Sequence, residues 1–261
     1  MPSVVRLSDV SVVRNGATIL DGISWEVQAD ERWVVLGANG AGKTTLLQVA
    51  GAQTFPTSGE VEVLGTELGG ADLFDLRPRI GFASTALARR IPVTEKVVDV
   101  VLTAAYSVTG RWNEEYEELD VRRAQRVLDE WGLGDFGDRT FGELSDGEQK
   151  RVQIARAVMT DPEILFLDEP AASLDLGARE SLVRTLGGYA QSEDSPAIVI
   201  VTHHVEEIPA GFTHALVLAD GHVQAAGPID EVLTDATLTE AFGIELTVTK
   251  DDGRYTARAA S

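Results

Sequence analysis

One nine-residue segment constrains the fold of this chain more than any other. Residues 37–45 read GANGAGKTT and fit the pattern G-x-x-x-x-G-K-[ST], in which a glycine-rich backbone wraps phosphate groups and points its N–H groups at them. An apolar run at residues 33–36 precedes the segment, and a helical stretch at residues 44–50 follows it. This order predicts a phosphate-binding loop between a strand and a helix. Its members are Gly37, Asn39, Gly40, Ala41, Gly42, Lys43, Thr44 and Thr45.

The loop predicts nucleotide binding, and a second segment predicts hydrolysis. Lys43 can reach the β- and γ-phosphates, and the hydroxyl of Thr44 can hold Mg²⁺. Residues 164–170 read ILFLDEP, four apolar residues followed by two acids. Alone, this pattern is equally consistent with a buried strand that ends in an acidic turn. Beside a phosphate loop, Asp168 is placed to hold Mg²⁺ and Glu169 to polarise the attacking water.

Strand and helix patterns lie on both sides of the loop. Asn15 and Gly16 separate two β-branched stretches, which predicts an antiparallel hairpin because both residues tolerate positive φ. Residues 93–131 show helical spacing. The alternation predicts an α/β fold with a mainly parallel sheet, an N-terminal antiparallel β-subdomain and an inserted α-helical subdomain. Other strands are predicted at 59–64, 79–83, 164–167, 197–201 and, as the last one, 215–218, and other helices at 147–160 and 177–186.

A third segment carries a family resemblance. Residues 144–148 read LSDGE, which resembles the LSGGQ signature of the nucleotide-binding subunits of ATP-binding cassette (ABC) transporters. In isolation, Ser145 and Glu148 would be an ordinary helix cap of the capping-box type. The three motifs stand in the order that this family shows. The resemblance therefore implies that Ser145, Gly147 and Glu148 close over the γ-phosphate of a nucleotide bound to a second copy of the chain.

The resemblance also implies a fold, an activity and further site residues. It covers about residues 3–230 and implies a P-loop NTPase domain at 1–230, with its helical insert at about 86–138 and an extension at 231–261 without an assigned role. The implied ligands are ATP and Mg²⁺, and the implied catalytic residues are Glu169, Lys43 and His203, which contacts the γ-phosphate. Asp175 resembles a contact across the subunit interface. His204 is expected on the opposite side of an extended chain, in a structural role.

Three positions depart from the family pattern. The strand at 79–83 is followed by serine and threonine where the family has a glutamine, so Thr85 is expected to supply a hydroxyl near Mg²⁺. The aromatic residue that stacks on adenine is missing, and Arg14 is the expected substitute because a guanidinium can stack. Asp146 replaces a signature glycine, which suits the helix dipole but is unfavourable beside a γ-phosphate.

Composition limits the partners. The chain of 261 residues has 22 Lys and Arg against 42 Asp and Glu, a net charge of −20, with no concentrated basic patch, so no nucleic-acid partner is expected. It has no cysteine, which excludes disulfides and thiolate metal sites. No apolar run approaches the roughly 18 residues of a membrane span, and no secretory signal is seen. The expected location is the cytoplasmic face of the membrane, through a partner.

These observations predict an ATPase that dimerises head to tail around two Mg·ATP and drives separate integral membrane permease subunits, with import favoured over export. Two alternatives remain open on the sequence alone. A soluble cassette ATPase acting on a ribosome or DNA is disfavoured by the single phosphate loop and the lack of sustained heptads. A nucleotide-regulated binding module with little turnover would be consistent with Thr85 and Asp146.

Overall fold

The computed structural model describes residues 2–70, 73, 75–106 and 116–260, apart from the side chains of residues 105 and 106. Its strands are β1 (Ser3–Arg14), β2 (Ala17–Gln28), β3 (Arg32–Leu36), β4 (Ser58–Val63), β5 (Thr66–Glu67), β6 (Ile80–Ser84), β7 (Ile164–Asp168), β8 (Ala197–Val201), β9 (His214–Ala219), β10 (His222–Pro228), β11 (Leu246–Asp251) and β12 (Arg254–Ala259). Its α-helices are α1 (Lys43–Ala50), α2 (Thr85–Ala88), α3 (Val97–Leu102), α4 (Glu118–Glu130), α5 (Asp146–Val158), α6 (Leu176–Ala190), α7 (Ile229–Val232) and α8 (Asp235–Phe242).

The N-terminal segment forms the predicted hairpin. Strands β1 and β2 pair antiparallel, with Arg14 opposite Ala17, and the turn residues Asn15 and Gly16 have φ of 52° and 79°. Positive φ at both central residues matches the right-handed twist of the strands. With β4 and β5 the hairpin makes a four-stranded sheet in the order β2-β1-β4-β5.

A second, six-stranded sheet contains the strand that leads into the predicted phosphate loop. Its order is β10-β9-β3-β8-β7-β6, and the strands from β9 to β6 are parallel, while β10 pairs antiparallel with β9 at the edge. The expectation of a mainly parallel sheet is confirmed. The crossovers between parallel neighbours put helices on both faces, so the strands are buried on both sides and read as continuous apolar runs.

Each face of this sheet has its own hydrophobic core. In β7, Leu165 and Leu167 join the cluster that contains the buried residues of α5 and α6, while Ile164 and Phe166 join the cluster around α1 and the N-terminal sheet. Alternation along one strand therefore locks the phosphate-loop helix to one face and the signature helix to the other.

The chain between β6 and α5 is mainly helical. It holds α2, α3 and α4 together with short 3-10 helices, in agreement with the helical texture that the sequence predicts. The predicted stretch 93–131 falls partly on residues 107–115, outside the described residues. The subdomain boundary of 86–138 stays a prediction. In the described ranges, no helix has the length and apolar character that crossing a membrane requires.

The expectation that residues 215–218 form the last strand is wrong. The chain continues through β10, α7 and α8 and ends in an antiparallel hairpin of β11 and β12. Tyr255 of this hairpin is only 4% exposed and belongs to the core cluster of α5 and α6. Each of these elements is at most eight residues long and lacks a regular hydrophobic period, so the sequence pattern does not predict it.

Candidate active site

Parallel register brings the predicted site residues to one edge of the six-stranded sheet. Asp168 at the end of β7 lies opposite Ser84 of β6 and Val201 of β8. The residues that follow these strand ends, Thr85, Glu169 and Thr202, therefore emerge side by side, as does the loop after β3. The carboxyl edge of an open parallel sheet is where α/β proteins bind ligands.

The phosphate loop has the shape that its glycines permit. Gly42 caps α1 with φ of 103°, and a Cβ there would lie 2.7 Å from Leu20 Cδ2. A Cβ at Gly37 would lie 2.2 Å from the carbonyl oxygen of Leu218. Side chains are thus excluded at both ends of the loop by packing as well as by backbone conformation. Between them, Asn39 and Gly40 are exposed at the mouth of the loop and Ala41 is buried, as is Thr45 in the first turn of α1.

Lys43 lies buried beneath this loop. Its Nζ donates to the carbonyl oxygens of Gly37 at 2.8 Å and Ala38 at 3.0 Å. Burial lowers the pKa of the Lys43 ammonium, against the opposing attraction of Glu169 and Asp168. The ammonium is thus held by the loop at the position from which it can turn to a bound phosphate.

Thr44 and Asp168 supply oxygen atoms suited to a magnesium ion. Thr44 Oγ1 donates to Asp168 Oδ1 over 3.1 Å, so a hydroxyl from α1 and a carboxylate from β7 converge. Burial raises the pKa of Asp168, although the hydrogen bond from Thr44 acts in the opposite direction. Within the described residues no group of three or more His, Cys, Asp or Glu could hold a metal. One hydroxyl and one carboxylate still fit Mg²⁺, which usually completes its shell with water and substrate phosphate.

Glu169 is fixed by its neighbours in an unusual backbone conformation. Its φ is 49°, in the left-handed region, and its N–H donates to the carbonyl oxygen of Val201 over 2.9 Å. Its Oε1 lies 3.0 Å from Nδ1 of His203. The two side chains are about equally half-buried, at 29% and 28% exposure, so the pair is reachable from the edge where the phosphate loop lies.

The expected orientation of His204 is wrong. The rings of His203 and His204 are in contact, with centroids 4.1 Å apart. The chain bends here because the Thr202 hydroxyl accepts a hydrogen bond from the His204 N–H at 3.1 Å and donates to the buried carboxylate of Glu207. A turn of this kind replaces the alternation of an extended strand.

The signature segment begins α5 with the expected capping box. Ser145 Oγ accepts from the Glu148 N–H at 3.4 Å, and Glu148 Oε2 accepts from the Ser145 N–H at 2.7 Å. Burial alone would raise the pKa of Glu148, but these hydrogen bonds outweigh it and the pKa is lowered. Gly147 allows close approach to α6, where an added Cβ would lie 3.2 Å from Ala178 Cβ. Asp175 caps α6 by accepting from the Ala178 N–H at 2.8 Å.

Arg14 and Asp146 lie at the margin of this arrangement. Arg14 is exposed at the end of β1, and its Nη2 is 3.4 Å from Gln48 Oε1 on α1, the helix that follows the phosphate loop. Asp146 is exposed in the first turn of α5. Stacking of Arg14 on adenine stays a prediction.

Thr85 lies close to a residue that the sequence analysis missed. Its hydroxyl oxygen is 3.3 Å from Nζ of Lys150, and the same ammonium is 3.3 Å from the backbone carbonyl oxygen of Glu169. A signal was available, because the chain has only four lysines and Lys150 stands five positions after Ser145. The role of Thr85 as a metal ligand stays a prediction.

A family model described as "ABC transporter" matches residues 20–172, more than half of the chain. The matched range includes the phosphate loop, the signature segment and the acidic end of β7. The chain belongs to the ABC transporter family. As a member, this ABC protein is an ATP-binding and ATP-hydrolysing subunit of a transporter.

Individual relatives agree with this assignment. An uncharacterized ABC transporter ATP-binding protein of Bacillus subtilis, YlmA, is 42% identical over 240 residues, which cover 92% of this chain and 90% of the relative. The hemin import ATP-binding protein HmuV of Rhodococcus jostii is 30% identical over 239 residues, covering 92% and 80%. A solved ABC cassette in a dimeric post-hydrolysis state with ADP and Pi has a TM-score of 0.74 at 24% identity, covering 86% of this chain and 98% of its own. That likeness shows that this ABC protein has the cassette fold.

Proposed function

We propose that two copies of this ABC protein close head to tail around two Mg·ATP, and that closure and hydrolysis drive separate membrane permease subunits from the cytoplasmic side. The observation that carries the proposal is the convergence of Lys43, the Thr44–Asp168 pair and the Glu169–His203 pair at one sheet edge. These groups supply a phosphate ligand, a metal site and a base for water.

Within one copy, each side chain has a separate task. Lys43 would leave the carbonyls of the loop and bind the β- and γ-phosphates. Thr44 and Asp168 would hold Mg²⁺, which when bound neutralises charge on the phosphate oxygens. Glu169 would take a proton from the attacking water as the bond from the γ-phosphorus to the leaving oxygen of ADP breaks. His203 holds the carboxylate of Glu169 in place and would itself reach the γ-phosphate.

The second copy would complete the site. The start of α5, around Ser145, Gly147 and Glu148, is the positive end of a 13-residue helix and would bind the γ-phosphate of the opposite copy. Asp175 would contact the opposite phosphate loop, and Arg14 would stack on the adenine. ATP does mechanical work in this scheme because it binds the closed pair more tightly than the open one, since equal affinity for both states would shift nothing.

Import is the direction that the relatives favour. The Rhodococcus relative is by its name a hemin import protein. Residues 144–151, LSDGEQKR, and residues 202–208, THHVEEI, also resemble importer cassettes of the molybdate and iron-complex type. The helical lobe and the Thr85 segment would carry the contact with the permease.

Glu169→Gln is the test of the proposal. This variant keeps the shape of the side chain but removes the base, so ATP with Mg²⁺ should trap a dimer on gel filtration while ADP should not. Glu163→Gln is the matched control, because Glu163 precedes the same strand at the surface, paired with Arg79. Unchanged turnover in Glu169→Gln, or a monomer under ATP, would overturn the proposal.

A further inference from the structure

We propose that Lys150 is a positioning residue for ATP hydrolysis, which holds the backbone of Glu169 through its carbonyl oxygen and is itself held by the hydroxyl of Thr85. The inference rests on the proposed role of Glu169 as the base. In this inference the Thr85 hydroxyl is a hydrogen-bond acceptor for Lys150 and not a ligand of the metal ion.

The backbone of Glu169 needs external support. A left-handed conformation costs a non-glycine residue about 1–2 kcal/mol, so the surrounding structure must fix it. At Glu169 the N–H is taken by the carbonyl oxygen of Val201 and the carboxylate by His203. Its carbonyl oxygen is the third polar group, and it accepts from Lys150 Nζ at 3.3 Å. The Ala172 N–H donates to the same oxygen at 3.2 Å, so Lys150 is the one side-chain donor beside a backbone donor from the following turn.

The surroundings of Lys150 hold its long side chain in one place. The space beside it measures about 10 Å³ and is lined by Ser84, Gln153, Ile154 and Pro170. That volume is at the lower limit for one water molecule, so Lys150 is closely packed on the side that faces these residues. Burial lowers the pKa of the Lys150 ammonium, against the attraction of Asp168 and Glu169.

Thr85 is the second acceptor, and the sheet register places it there. Ser84 lies opposite Asp168, so the next residues along the two strands, Thr85 and Glu169, are neighbours at the carboxyl edge. Lys150 reaches both from α5, on the face of the sheet opposite α1. A hydroxyl that already faces an ammonium at 3.3 Å is a poor ligand for a second cation. The ammonium of Lys150 thus joins the signature helix to the Thr85 hydroxyl and to the backbone of Glu169.

Lys150→Met separates positioning from binding. Methionine keeps most of the length of the side chain and removes the ammonium, and Lys150 touches none of the groups assigned to the phosphates. Because small displacements of a catalytic group cost up to about 100-fold in rate, kcat should fall by about 10- to 100-fold. The KM for ATP should stay within about two-fold, since ground-state binding is untouched. Lys150→Arg restores a donor and should recover part of the loss.

Two further variants complete the design. Lys96→Met is the matched control, because Lys96 is an exposed lysine paired with Asp138 away from the site and should leave kcat unchanged. Thr85→Val removes only the hydroxyl acceptor. It should lower kcat by about three-fold in the otherwise unchanged chain and have no further effect in Lys150→Met, because the two groups act as one unit. ATP affinity of Lys150→Met is measured by calorimetry in the Glu169→Gln background, where turnover is blocked.

The possible results are distinct. Wild-type kcat in Lys150→Met overturns the inference, as does a loss of ATP affinity that matches the loss of kcat. If Lys150→Met does not fold by circular dichroism, Thr85→Val decides, and an unchanged kcat there overturns the inference. Turnover by Glu169→Gln would instead refute the proposed function itself. Loss of turnover in Glu169→Gln with full turnover in Lys150→Met would leave that function standing and remove only the role of Lys150.

Discussion

Arg254 of the C-terminal hairpin connects two segments that lead into the active site. Its Nη1 is 3.1 Å from Glu180 Oε2 on α6, the helix that Asp175 caps. Its Nη2 is 2.5 Å from the carbonyl oxygen of Glu206, three residues after His203. We predict that Arg254→Ala destabilises the fold and loosens the segment after His203.

The magnitude follows from the two contacts. The ion pair with Glu180 is partly exposed, at 29% and 38%, so screening limits it to about 0.2–1 kcal/mol. The charge-assisted hydrogen bond to the Glu206 carbonyl is worth about 1.5–3 kcal/mol where it is shielded from water. The expected loss is therefore about 2 kcal/mol. For a protein of this size that corresponds to a fall in Tm of about 4–8 °C.

Urea unfolding followed by circular dichroism measures this loss. Arg258→Ala is the matched control, since Arg258 is exposed on the same strand and its removal should change the free energy of unfolding by less than about 0.5 kcal/mol. Arg254→Lys keeps the charge but cannot span both acceptors, so it should fall between Arg254→Ala and the unchanged chain. Equal midpoints for Arg254→Ala and Arg258→Ala would refute the reasoning.

Three other variants give separate predictions. Asp168→Asn should abolish turnover yet raise Tm at pH 7, because burial raises the pKa of Asp168 in the fold. A carboxyl group whose pKa is raised in the fold makes the free energy of unfolding fall as pH rises from the ordinary pKa through the raised one. The Tm gain of Asp168→Asn should therefore disappear below the ordinary carboxyl pKa, and an equal Tm gain at that low pH would contradict the prediction. Ser145→Ala should cost about 1 kcal/mol through the lost helix cap, and ATP should no longer trap the dimer in the Glu169→Gln background; a persisting trapped dimer argues against its role. Gly42→Ala should weaken ATP binding by at least about ten-fold, since its φ of 103° and the contact with Leu20 leave no room for a methyl group, and calorimetry will show whether affinity survives.

Local chemistry is enough to predict much of this molecule. The glycines and Lys43 of the phosphate loop, the Asn15–Gly16 turn and the Ser145 capping box are each determined by residues within a few positions of one another. Their conformations follow from backbone sterics and short-range hydrogen bonds, so the sequence contains the relevant information. The C-terminal helices and hairpin were not predicted from the sequence, because they are stabilised by packing against the rest of the fold, as the burial of Tyr255 illustrates.

The sequence by itself determined which chemistry is present, because the phosphate loop, the acidic end of the strand at 164–168 and the histidine at position 203 are local patterns of residue type. Only the tertiary structure decided which groups meet. Lys150 and Thr85 are 65 positions apart, and Lys150 reaches Glu169 from another helix. Their contact depends on the register of β6 against β7 and on the packing of α5 against these strands. No short segment of the sequence specifies either of them.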